Sequence, residues 1–98
     1  MSGTETLEKT KVVLTEPKKY NIVIHNDDTT PMEFVIMLLM EVFDKTLEQA
    51  NDLTVEVHEK GKGIVGTYTK EIAHSKHSEA QQVINNVGFE LKITIEVV

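Results

Sequence analysis

The stretch His25-Asn26-Asp27-Asp28 gathers an imidazole, an amide and two carboxylates directly before Thr29-Thr30-Pro31. Acceptors dominate it, since an ionised carboxylate only accepts and an amide oxygen or neutral imidazole nitrogen accepts as well. Such a set suits a cation, either an ammonium group or a metal ion. It equally suits a solvated turn, because Asn and Asp bond to their own backbone. His58 is the second candidate, on a helical stripe shared with Thr54 and Val57. A histidine there is either a half-buried residue satisfied by backbone or the polar member of a small-ligand pocket. Frames for catalysis are weak. The serines are Ser2, Ser75 and Ser78, none of them in a GxSxG setting. His74 and His77 stand three apart rather than in an HExxH frame, and the glycines around Lys60 and Lys62 do not have P-loop spacing.

Composition narrows the classes further. With 98 residues the chain has room for one domain. It carries 16 acidic residues against 10 basic ones, and all of the basic ones are Lys. Without Arg it lacks the planar fork that suits phosphates and guanine edges. Nucleic acid and anionic membrane are therefore poor partners for it. There is no cysteine, which removes disulfides, thiolate metal sites and a cysteine nucleophile together. No signal-peptide pattern opens the chain and its longest apolar run, Phe34 to Met40, is too short for a bilayer. A cytoplasmic location is expected.

The elements that must position these groups follow from period and punctuation. Residues 1–19, rich in Thr, Glu and Lys, read as a flexible N-terminal tail, and residues 20–98 as the folded domain. Tyr20 to Ile24 alternates as a strand and stops at the polar cluster. Thr30 offers an N-cap hydroxyl, Pro31 the first helical position and Glu33 the reciprocal partner, a capping box opening a helix to Phe43. With that cap supplied, Asn26, Asp27 and Asp28 are spare. Thr46 and Gln49 offer a second capping box for a helix from Leu47 to Lys60, ended by Gly61. Lys62 to Thr69 reads as a strand whose Gly63 and Gly66 suggest a bulge. A third helix runs from Lys70 to Val87 and a last strand from Phe89 to Val98. The order β-α-α-β-α-β predicts an α+β domain, a three-stranded antiparallel sheet packed against three helices. If the first two helices form a hairpin, Met32, Val35, Thr54, Val57 and His58 line one hollow next to Asn26 and Asp27.

Those residues also carry a family pattern. Tyr20 to Val35, YNIVIHNDDTTPMEFV, strongly resembles the signature of the ClpS adaptor family of the bacterial ATP-dependent Clp protease. The resemblance continues through Ala50 to Gly61 and Gly66 to Ala73. It implies a non-enzymatic adaptor, without cofactor or metal, that binds N-degron proteins beginning with Leu, Phe, Tyr or Trp. It further implies delivery of those proteins to a ClpA-type AAA+ unfoldase, with the tail engaged during delivery. By motif position, Asn26, Asp27, Asp28 and His58 would hold the α-amino group. Thr30, Met32, Val35, Thr54, Val57 and Leu91 would shape the side-chain pocket, and Glu71 and Lys76 would contact the unfoldase. Thr54 stands where many members carry Met. The alternative reading is a metal-binding domain or metal-dependent hydrolase built on Asp27, Asp28 and His58.

Overall fold

The computed structural model describes residues 17–98. Strand β1 (Tyr20–His25) leads through the polar turn into helix α1 (Met32–Phe43), and helix α2 (Leu47–Lys60) follows. Strand β2 (Lys62–Tyr68), helix α3 (Lys70–Val87) and strand β3 (Ile93–Val97) complete the chain. The sheet order is β2-β1-β3, with both pairings antiparallel, as the element order predicts. The apolar positions of β1 explain its central place: Ile22 and Ile24 are wholly buried, meeting Val65 and Ile93 of the flanking strands in one core. From the helices come Phe34, Leu38, Leu39, Val42, Ala50, Val57, Ala73, Ala80 and Ile84. No helix among the described residues is long and apolar enough to cross a membrane.

Local chemistry accounts for the boundaries. Thr46 and Gln49 form the reciprocal cap of α2, at 3.0 and 3.1 Å. Gly61 ends that helix at φ +92°, a conformation in which a Cβ is strained. The bulge falls in β2, where Ile22 faces Gly66 and Val23 faces Ile64, leaving Val65 as the extra, buried residue. Gly63 lets α2 close on β2: a Cβ there would stand 2.9 Å from Leu53 Cδ1 and 3.0 Å from Val57 Cγ2.

Three expectations change. The last strand begins at Ile93 rather than Phe89, although Phe89 and Leu91 still turn inward. Phe89 meets Phe34 edge to face at 4.9 Å, so packing, with one backbone bond at Lys92, fixes this lead-in ahead of the strand. The helical spacing also puts Leu47, Ala50 and Leu53 on the stripe of Thr54, Val57 and His58, yet Leu47 is 63% exposed and His58 is exposed as well. The third change is at the start of α1. Pro31 occupies the N-cap position and no side chain caps the helix. The Thr30 hydroxyl instead donates to Asp27 Oδ2, so the capping box at Thr30 and Glu33 does not form. A hydroxyl beside a carboxylate makes a charge-assisted bond, stronger than the neutral cap it displaces.

Candidate functional site

Two backbone bonds assemble the site. His25 N–H donates to the Lys92 carbonyl at 3.0 Å, holding the end of β1 beside the segment that carries Leu91. Asn26 N–H donates to the Gly61 carbonyl at 2.8 Å, pinning the polar turn against the C-terminal end of α2. The turn, the start of α1 and the last turns of α2 thereby surround a cavity of about 120 Å³. For comparison, an apolar cavity of about 150 Å³ accepts a benzene ring. The hollow matches one side chain.

Its lining divides by chemistry. His25, Asn26, Asp27, Asp28 and His58 supply the polar part, and Thr30, Met32, Val35, Thr54, Val57 and Leu91 the rest. Val35, Thr54, Val57 and Leu91 are buried, whereas Met32 is 42% exposed and sits where solvent reaches it. Thr54 presents little polarity despite its hydroxyl, which donates to the Ala50 carbonyl at 2.7 Å. The methyl group is the part left for apolar contact. This is the usual construction of a small-ligand site, an apolar wall with a few placed polar groups.

The acceptors are not equally available. Asp27 Oδ2 receives the Thr29 and Thr30 hydroxyls, at 2.9 and 2.5 Å. Those bonds, Thr30's first and Thr29's second, outweigh burial and hold the Asp27 carboxyl below its ordinary value of 3.8. Asp27 is thus a charged strut of the turn, not a spare group. Asn26 donates one amide N–H to Asp28 Oδ1 at 3.0 Å, and its carbonyl oxygen remains as an acceptor.

All ten residues expected at the α-amino and side-chain subsites line this one cavity. His25 lines it too and was not among them; its position next to Asn26 is the signal that could have found it. Its Nε2 lies 2.9 Å from Thr94 Oγ1, which ties the end of β1 to β3. Glu71 and Lys76 lie elsewhere. Glu71 is exposed in the first turn of α3, beside a shallow hollow lined by Pro17, Lys18 and Tyr20. Lys76 Nζ donates to the Val42 carbonyl at 3.1 Å, lies 3.7 Å from Asp44 Oδ2, and stands about 6 Å from the Phe43 and Tyr68 rings. Among the described residues, no group of three or more His, Asp and Glu side chains is placed to hold a metal ion. The Asp27, Asp28 and His58 cluster lines a pocket without forming a ligand set.

Comparison with known proteins gives a consistent result. Residues 15–94 match the family described as ATP-dependent Clp protease adaptor protein ClpS. The ClpS adapter protein of Campylobacter jejuni strain RM1221 is 44% identical over 96 residues, 98% of each chain. That of Lawsonia intracellularis is 42% identical over 80 residues, 82% of this chain and 73% of its own. Among solved structures, Agrobacterium tumefaciens ClpS2 bound to L-phenylalaninamide superposes with a TM-score of 0.82. It is 32% identical, over 85% of this chain and all of that one.

Proposed function

This chain belongs to the ClpS adaptor family of the ATP-dependent Clp protease, and from that premise we propose that its cavity receives the first residue of proteins marked for degradation. The observation that carries the reading is the pairing, in one hollow of about 120 Å³, of an apolar wall with acceptors at its rim. A protein's first residue is the one position that offers a side chain and a free ammonium on the same carbon. L-Phenylalaninamide, the molecule bound to the A. tumefaciens relative, has that composition: a free amine, an apolar ring and a blocked carboxyl.

In this reading the Asn26 carbonyl oxygen, Asp28 and neutral His58 accept the three ammonium protons. Asp27 adds its charge while bracing the turn. Thr30, Met32, Val35, Thr54, Val57 and Leu91 enclose a Leu, Phe, Tyr or Trp side chain. The complex is then handed to a ClpA-type unfoldase, through exposed Glu71 and the neighbouring face of α3 near Lys76. The tail, whose residues 1–16 lie outside those described, assists delivery. The adaptor itself breaks no bond and needs no cofactor, and it works in the cytoplasm.

The test is a pair of Phe-first peptides, one with a free amine and one acetylated, titrated by fluorescence anisotropy. Acetylation removes the charge and two of the donors. The expected loss is about 2–3 kcal/mol, roughly thirty- to more than hundredfold in affinity. Equal affinities for the two peptides would sink the reading.

A further inference from the structure

The chain contains no cysteine and no tryptophan but four methionines, so thioethers are its principal targets for two-electron oxidants. Three of them lie on α1 with similar exposure: Met32 at 42%, Met37 at 39% and Met40 at 38%. Peroxide reaches all three. Among them, Met32 alone lines the cavity.

We propose that Met32 is a reversible oxidation site and that its sulfoxide closes the first-residue pocket, an inference that rests on the reading of that cavity given above. In the step, the Met32 sulfur attacks one oxygen of hydrogen peroxide and gives up two electrons. The O–O bond breaks, an S=O bond forms, and the second oxygen leaves as water with both protons. Reversal consumes two thiols, which become a disulfide while the sulfoxide oxygen leaves as water.

The lining explains why the product cannot be accommodated. A sulfoxide oxygen is a strong acceptor, and an incoming side chain strips it of water. Three donors on the same lining are already engaged: one Asn26 N–H on Asp28, the Thr30 hydroxyl on Asp27 and the Thr54 hydroxyl on the Ala50 carbonyl. The second Asn26 N–H and the imidazoles of His25 and His58 belong to the polar part, where the incoming ammonium is received. An oxygen turned toward the apolar wall of Val35, Val57 and Leu91 is then desolvated with no donor supplied by those side chains. The sulfur also loses the soft, polarisable contact that a thioether offers an aromatic ring. Met37 and Met40, outside the cavity, carry no such consequence.

The experiment uses the full chain treated with hydrogen peroxide, peptide mass mapping of each methionine, and anisotropy titration with a free-amine Phe-first peptide. As Met32 gains one oxygen, affinity is expected to fall roughly ten- to hundredfold, and to return with methionine sulfoxide reductases and a dithiol. The Met37→Leu/Met40→Leu double variant should lose affinity to the same degree. Met32→Leu, whatever its starting affinity, should bind equally before and after treatment. Bound peptide should slow conversion of Met32 relative to Met37 and Met40. Unchanged affinity at full conversion of Met32 would overturn the inference, as would Met32→Leu losing affinity in step with the wild type. Failure of the untreated protein to bind the peptide would overturn the pocket reading itself, and this inference with it.

Discussion

Thr54 illustrates how a single side chain sets the pocket's capacity. Its hydroxyl is committed to the Ala50 carbonyl and its residue is only 4% exposed, so it acts on the cavity as a small apolar wall. Thr54→Met would extend a longer, adaptable side chain into about 120 Å³ of space. Each methylene of lost room is worth about 1 kcal/mol, so the ratio of Trp-first to Leu-first affinity should fall by roughly tenfold. A peptide panel differing only at the first residue measures this, and an unchanged ratio would show that position 54 does not limit the pocket. Asp27 gives the second prediction at this scale. Its folded-state carboxyl titrates below the ordinary 3.8, so its contribution to stability is present above that value and disappears as pH falls through the lower one. Thr30→Val keeps the shape and removes the principal donor. The Asp27 carboxyl should then titrate closer to 3.8, as followed by carbon NMR of the side chain. A titration curve identical to the wild type would mean that Thr29 alone maintains the shift.

Between the elements, close approach matters more than any one bond. Helix α2 supplies Thr54, Val57 and His58 to the cavity, and it lies close to β2 because Gly63 has no side chain. In Gly63→Ala the new methyl meets Leu53, a flexible tip that can yield, and Val57, whose branched side chain is stiff. Helix α2 must then move outward, at a cost of about 1–3 kcal/mol in stability. Because Val57 lines the cavity, affinity for a Phe-first peptide should fall with it. Wild-type stability in chemical denaturation together with wild-type affinity would show that the strand absorbs the methyl without moving the helix. Lys76 works at another junction, joining α3 to the end of α1 through the Val42 carbonyl and Asp44. Removing its charge as Lys76→Met leaves that carbonyl without its side-chain donor, and should lower stability by about 1 kcal/mol. Peptide affinity should stay unchanged, because Lys76 lies outside the cavity. A fall in affinity would mean that the α1–α3 junction controls the pocket from a distance.

At the scale of the whole molecule, what could be read from the sequence was whatever local chemistry determines. Capping at Thr46, the stop at Gly61 and the alternation of Ile22 and Ile24 placed their elements correctly, since each depends on neighbours within a few residues. The Thr30 cap failed because a nearby carboxylate competed for the same hydroxyl, a choice that pattern alone does not reveal. The lead-in from Phe89 looked like strand because its inward alternation is real, while its partner, the Phe34 ring, comes from a distant helix. The cavity needed both levels: residue types nominated Asn26 and His58, but the long-range bond from Asn26 to Gly61 brings them together. The same architecture makes a prediction about the chain as a unit. Among the described residues, the buried core runs from Ile22 to Ile93 and the cavity lining from His25 to Leu91. Sheet pairing already reaches Lys19, whose carbonyl accepts from Val98 N–H at 3.0 Å. A chain beginning at Pro17 keeps all of these core, pocket and sheet residues. Its melting temperature and its affinity for a Phe-first peptide should match those of the full chain. Degradation of a Phe-first reporter by the unfoldase and protease should nevertheless fail, since delivery is the task proposed for residues 1–16. Degradation at the full rate would show that the folded domain delivers by itself, whereas a loss of peptide affinity would place part of residues 1–16 in the binding site.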